Sequence, residues 1–343
     1  MSEEKDIFQE TEAEPAAVVT EVDEDEDLAP FKTADYVKLP FRETLFPSIF
    51  RENLITAPMK RKVPIMLSLF SPLGAIDCRI RMAYPYDRKR RHACHVQVVF
   101  EAPPSTGKGC FADVVEQIIT PTLEALDEKQ RRQEQEYREK KNARTQNEKI
   151  GEAPKTTIRC LPPSTSKTVI VKRADYYKRI LGDYLTFWMW AEELAQVNDA
   201  GKSGFSNLRT VMRVAYDIGS KFGQDFASDN SYSAIADVQI CSMFCGTPQD
   251  VDDVFNKREI VGGGCSRAII CTLEDETGAN PAHFEDFTPE QEANIKRMLE
   301  LLMRQTYSED GGLRPVINLD MSWLFADIDK WTNKMCRQVK DMK

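Results

Sequence analysis

Apolar positions along this chain recur with two periods, and the alternation between them predicts an α/β fold. "VPIMLSLFSPLGAI" (63–76) is apolar enough for a buried helix, broken at Pro72. "YPYDRKRRH" (84–92) reads as a basic turn leading into "ACHVQVVFEA" (93–102), whose β-branched and aromatic residues predict a buried strand. A loop of small residues follows. Beyond it "CFADVVEQIITPTLEAL" (110–126) has helical spacing, with Pro121 at a kink or a fresh first turn. Strand-like runs then appear at 156–161, 184–190, 234–244 and 266–273, separated by helical segments at 172–182, 191–197, 206–218 and 247–256. Strands alternating with helices predict a mainly parallel sheet. From "PEQEANIKRMLELLMRQTY" (289–307) onward the pattern is helical.

Two stretches break the pattern. At 127–149 fourteen of 23 positions are charged, with Glu128–Arg132, Glu134–Arg138 and Glu136–Lys140 in favourable i,i+4 order. A helix so polar buries little and is expected to project as an arm inserted in the core. Residues 1–28 carry twelve Asp or Glu against one lysine, which explains the formal charge of −9 and leaves the remainder nearly balanced. Such a tail is expected to be disordered, a solubilising segment or a mimic of nucleic-acid charge. The predicted organisation is therefore a disordered acidic tail (1–33) and a helical N-terminal region (34–92). A core (93–275) carrying the arm (122–150) and a helical C-terminal region (276–343) follow.

The longest apolar runs fall short of the ~20 residues that span a bilayer, so no membrane association is expected. Nine scattered cysteines fit a reducing cytoplasm better than a disulfide framework.

The candidate chemistry lies in the loops. In "EAPPSTGKGC" (101–110) a small residue, four further residues and a Gly-Lys pair follow a strand and precede a helix, the context of a phosphate loop. Pro103, Pro104, Ser105, Thr106, Gly107, Lys108, Gly109 and Cys110 form the candidate cradle, with Lys108 reaching the β- and γ-phosphates. Gly109 stands where Ser or Thr would ligate Mg²⁺, so Thr106, Thr168 or water must supply that ligand. The echo "LPPSTSKT" (161–168) has Ser166 in place of the required glycine and reads as a structural loop. Glu192 and Glu193, closing "LTFWMWAEEL", suit metal binding and water positioning, or simply a helix first turn. Arg267, after three glycines, suits an arginine finger or an ordinary strand edge. His92, Cys94 and His95, or Cys241 and Cys245, lack the second ligand pair of a zinc site. Trp188 and Trp190 face one side of a strand as core, and "MKRK" (59–62) and "DRKRR" (87–91) read as solvated surface or phosphate contacts.

In this order the motifs resemble a P-loop ATPase domain family of unknown function, found in primase–helicase-type proteins of bacterial mobile elements and prophages. The resemblance covers about 40–275 and rests on "AYPYD" (83–87), "EAPPSTGKGC", "LPPSTSKT", "WAEEL" (190–194), "FCGTPQDV" (244–251) and "GGGCSRAII" (262–270). "AEEL" departs from the family's Glu-x-Asp pattern, whereas Gly-Lys-Gly is a variant within it. The resemblance implies a RecA-like P-loop NTPase core that binds ATP and Mg²⁺. Lys108 would bind phosphate, Glu192 would take the acidic role, Thr247 would sit at a sensor position and Arg267 would act as finger or sensor.

The expectation is a cytoplasmic, homo-oligomeric ATPase, helicase-like or primase-associated, working on single-stranded DNA in mobile-element or phage replication. A nucleotide-binding scaffold without hydrolysis is the alternative, and a small-molecule kinase the third reading.

Overall fold

The computed structural model describes residues 46–84, 87–143, 151–197, 208–225, 232–255, 265–274, 283–309 and 312–341. The acidic tail (1–33), the end of the arm, the Gly262–Gly264 run and 275–282 lie outside them. Helices α1 (Ser48–Thr56) and α2 (Lys62–Ile76) come first, joined by a 3-10 turn, Met59–Arg61. Strands β1 (Ile80–Tyr84), β2 (Asp87–His92) and β3 (Gln97–Glu101) precede α3 (Gly109–Ile118). A π-helical turn, Thr120–Glu124, leads into α4 (Ala125–Ala143), then α5 (Lys167–Leu181), β4 (Thr186–Ala191), α6 (Leu208–Val214), β5 (Lys221–Gln224) and β6 (Ala234–Asp237). The remainder is β7 (Gln239–Gly246), α7 (Pro248–Val254), β8 (Ile269–Thr272), α8 (Pro289–Thr306), β9 (Ile317–Asn318) and α9 (Phe325–Asp341).

The fold is mixed α/β around a four-stranded parallel sheet in the order β4-β7-β3-β8. An isolated parallel bridge, Cys160 to Trp188, lies against β4. Every residue of β7 is buried, and so are Gln97 to Phe100 of β3, as expected for strands covered on both faces. The alternation of side chains divides the core. Val98, Phe100, Trp188, Cys241 and Met243 face α1, α2, α3 and α8, while Val99, Phe187, Met189 and Phe244 face α5, α6 and α7. Phe111, in the first turns of α3, stacks on Phe100 at 3.8 Å between ring centroids, which locks that helix over its own strand.

Helix α2 runs unbroken through Pro72, contrary to the expected break. The helix is held from outside, by burial of Ile65, Leu69, Ala75 and Ile76 and by the Ser71 hydroxyl, which lies 2.8 Å from Val96 O and 2.9 Å from Ser242 O. At Gly74 the helix backbone nears the 94 loop so closely that a Cβ would sit 2.0 Å from Cys94 O. Only glycine fits there.

The basic run 87–92 is a strand, not a turn. It pairs antiparallel with β1, and β1 pairs parallel with β9. A three-stranded sheet, β2-β1-β9, thus ties the N-terminal region to the C-terminal one, and neither is wholly helical. The expected strand at 156–161 forms only its Cys160 bridge, and the run 234–244 divides into β6, antiparallel to β5, and β7.

The first half of α4 does not stand clear of the body. Asp127 is buried and accepts from the backbone N–H of Arg159 (2.8 Å) and Cys160 (2.6 Å). Arg131 donates to Cys160 O at 2.7 Å, and Glu134 accepts from the Thr156 hydroxyl at 2.5 Å. These residues, with Gln130, form a polar stripe at helical spacing. Hydrophobic periodicity cannot see a face that docks by hydrogen bonds. The expected pairs Glu128–Arg132 and Glu134–Arg138 both form on the helix.

His95 is buried, with Nε2 3.1 Å from the Thr186 hydroxyl and Nδ1 3.3 Å from Tyr216 O. Burial, assisted by the charge of Arg81, lowers its pKa to about 4. The imidazole is therefore neutral in the fold and charges first in the unfolded chain. Its contribution is complete above pH 6.5 and declines as pH falls towards 4. Asp77, raised to about 6 by burial, acts with the opposite sign: its contribution is complete below 3.8 and is lost as pH rises. In denaturant unfolding, the stability advantage of wild type over His95→Gln should shrink by about 2 kcal/mol between pH 7 and pH 5. An advantage independent of pH would show that the imidazole is not held neutral.

Candidate functional site

The parallel pairing brings the C-terminal ends of β3, β4 and β7 to one edge, where ligands bind in open α/β sheets. The loop 103–108 leaves β3 there. Its start is fixed from both sides, because Ala102 N donates to Gly246 O at 3.0 Å and Leu273 N donates to Glu101 O at 2.7 Å. Ser105 has φ +64 and Gly107 φ +72. Positive φ at a serine is uncommon and places the loop in a strained, specified conformation. Lys108 follows in the αR region, so the backbone alternates from positive φ at Gly107 to αR at Lys108, the kind of alternation from which anion-binding nests are built.

No side chain caps α3, whose Ncap is Lys108. The helix therefore presents a positive dipole end to whatever occupies the loop. Lys108 lies across its own loop, Nζ donating to Ala102 O at 3.4 Å, a long contact. Pro104, Ser105, Gly107 and Gly109 are exposed, while Pro103, Lys108 and Cys110 are half-buried.

Thr106 is not available as a metal ligand in this conformation. It is 2% exposed and its hydroxyl donates to Pro103 O at 2.8 Å, closing the loop on itself. Thr168 lies in the first turn of α5, beyond β4 on the far side from β3. That places its loop about three strand spacings, roughly 14 Å, from β3. The echo loop 161–168 does share the sheet edge, and there Ser166 caps α5 by accepting from Val169 N at 3.4 Å.

Glu192 and Glu193 are exposed just past the end of β4. Ala191 pairs with Phe244, and Phe244 with Val99, so Glu192 stands level with Cys245 and Phe100. One strand, β7, separates it from the loop strand, a backbone separation of about 10 Å. The Cys245 thiol registers this convergence: burial foremost, with Cys110 and Glu192 adding and Lys108 opposing, pushes it up to about 12. Thr247 follows β7 as the Ncap of α7. It forms a capping box in which its hydroxyl accepts from Asp250 N at 3.3 Å and its N–H donates to Asp250 Oδ2 at 2.9 Å, with the hydroxyl also donating to Oδ2 at 2.7 Å.

Arg267 is elsewhere. It precedes β8, and Ile269 pairs with Val98 near the start of β3, so Arg267 belongs to the N-terminal edge of the sheet. There its Nη2 lies 4.0 Å from Asp217 Oδ2, and Arg90 lies 3.3 Å from the same carboxylate. Arg267 is therefore not brought to the Gly-Lys loop of its own chain. Among the described residues no group of three or more His, Cys, Asp or Glu is placed to hold a metal ion.

The residue that the pattern hides is Arg61. In "MKRK" it reads as solvated surface or a nucleic-acid phosphate contact, yet it is 2% exposed and its Nη2 donates to Thr106 O within the loop. Its place directly before an apolar helix is the one signal that could have marked it.

No protein-family model matches the chain, and comparison with curated proteins finds no match.

Gly107 and Gly109 should differ as alanine variants. At Gly107 the Cβ would meet positive φ and lie 3.8 Å from Arg61 Nη2, whereas at Gly109 it meets nothing within 4 Å. Gly107→Ala is expected to cost about 1–2 kcal/mol, and Gly109→Ala to leave stability unchanged or slightly raised. Thermal melting decides, and equal effects would show that the loop does not keep this geometry.

Proposed function

We propose that the chain is a nucleotide-binding P-loop ATPase with a RecA-like core that acts on DNA, as a helicase-like or primase-associated component of mobile-element or phage replication. The observation that carries this reading is the loop itself. A Gly-Lys loop with positive φ at Ser105 and Gly107 leaves a buried parallel strand, enters an uncapped helix and faces Glu192 one strand away. The arrangement is suited to a polyphosphate chain. The amides of 105–109 and Lys108 would hold phosphate oxygens, and Glu192, two strands from β3 with β7 between and at the same sheet edge, would supply a carboxylate.

The residues present fit a magnesium ion, which binds through one or two carboxylates, phosphate oxygens and several waters. Glu192 would hold it, and the ion would neutralise charge on the phosphates. Glu193 would orient water, and Thr247 would stay at the edge as a sensor, its orientation set by Asp250. The RecA-like reading is supported by the order β4-β7-β3-β8, with the loop strand inside the sheet. The exposed Lys89, Arg90 and Arg91 on β2 support contact with nucleic-acid phosphates. Because Arg267 lies at the far edge of its own sheet, a finger role requires a second copy of the chain, head to tail in a homo-oligomer.

A second reading, a nucleotide-binding scaffold or regulator without hydrolysis in a DNA-processing complex, is favoured by one observation. Gly109 offers no hydroxyl and that of Thr106 is committed to Pro103 O.

ATP turnover with and without single-stranded DNA, on wild type and Lys108→Ala, separates the two. DNA-stimulated hydrolysis lost by at least 100-fold in the variant is the expected result. Binding without turnover selects the scaffold, and no nucleotide binding removes both. Mixing Lys108→Ala with Arg267→Ala subunits should restore part of the activity, and no rescue in mixed oligomers would rule out the finger in trans.

A further inference from the structure

We infer that Arg61 is a positioning residue for the nucleotide site, holding the phosphate loop in its anion-receiving form through the Thr106–Gly107 peptide. The inference rests on the phosphate-loop reading above and adds to it a residue from outside the motif.

A trans peptide is planar, and its C=O and N–H point in opposite directions. Arg61 Nη2 donates to Thr106 O from the buried side of the loop, and the residue as a whole is 2% exposed. Tying the Thr106 carbonyl inward aims the N–H of the same peptide, that of Gly107, the other way. That way is outward, since Gly107 is exposed while Thr106 is buried. Flipping this peptide would present a carbonyl oxygen to the phosphate in place of a donor. A loop with positive φ at two nearby residues has neighbouring backbone states to flip into, so its conformation needs an external constraint.

Arg61 is suited to be that constraint because its own backbone is fixed. It closes the 3-10 turn Met59–Arg61, with its N–H donating to Pro58 O at 2.8 Å, and serves as the Ncap of α2. Helix α2 is in turn buried against β3 and β7. The guanidinium also reaches the field of β8, where it opposes the rise that burial imposes on the Cys271 thiol. One cation thus spans from the N-terminal helices to the loop and towards β8. Being beneath the loop, it adds positive potential where phosphate would bind.

A residue needed only for stability and a residue that sets the loop differ in one measurable respect. The first changes melting without nucleotide and leaves affinity alone, whereas the second changes affinity. Calorimetric titration with ADP, paired with melting in the absence and presence of ADP, should be run on wild type, Arg61→Met, Arg61→Gln, Arg61→Lys and Lys108→Ala. Loss of a charge-assisted hydrogen bond predicts ADP binding roughly 10- to 100-fold weaker in Arg61→Met, with a correspondingly smaller ADP-induced rise in melting temperature. Arg61→Gln keeps a neutral N–H donor and should recover part of the loss. If Arg61→Met does not fold, the Gln and Lys variants decide. Arg61 variants that bind ADP as wild type does, while Lys108→Ala does not, would overturn the inference and leave the loop reading standing. A wild-type protein that does not bind ADP would remove both.

Discussion

The structure depends on the pairing of β3 along both of its edges. A strand buried on both faces has no water for its peptide groups, so its N–H and C=O groups must find partners in neighbouring strands. β7 supplies one edge and β8 the other, with consecutive parallel pairs from Gln97 to Glu101 and from Val98 to Glu101. The pairing continues one step past the strand on each side, through Gly246 O and Leu273 N. The chain therefore enters Pro103 and Pro104 from a fixed point. A loop with positive φ at Ser105 and Gly107 keeps one shape only on such a foundation.

Buried arginines extend this logic to places where no strand is available. Arg159, 1% exposed, donates from Nε to Thr186 O at 2.8 Å, from Nη1 to the Tyr307 hydroxyl at 3.0 Å and from Nη2 to Ala75 O. The single side chain joins β4, the end of α2 and the end of α8, while its backbone N–H is held by Asp127 of α4. Arg61 makes the equivalent link to the Gly-Lys loop. A planar fork of five donors reaches acceptors spread over several elements, whereas the three donors of a lysine radiate from a single nitrogen. The helices around the sheet are thereby fixed by directional contacts as well as by apolar packing.

Other parts of the fold read differently in sequence for reasons of the same kind. Pro72 argues for a break in α2, but burial of the flanking residues holds the helix through it. The basic run before β3 looks like a turn because its charges mask the strand, and only pairing with β1 reveals it. The first half of α4 reads as free because nothing apolar faces the body, while Asp127, Gln130, Arg131 and Glu134 dock it by polar contacts. Nor does apolar periodicity mark Arg61 or Arg159 as buried. Periodicity reports where apolar side chains go and is silent about buried charge.

By itself, the sequence determined the parallel α/β class, the approximate positions of β3, β4, β7 and β8, and the Gly-Lys loop between a strand and a helix. Those features follow from short-range patterns, the period of side chains and the steric freedom of glycine, which neighbouring residues alone specify. Only the tertiary structure decided which sheet edge each residue joins. It set Lys108 and Glu192 on one edge, Arg267 on the other and Arg61 beneath the loop. Strand order and direction are settled by pairing between segments far apart in the chain, 53 residues for β4 with β7 and more than a hundred for β3 with β7 and β8. An end of a strand acquires a location only when its partners are known.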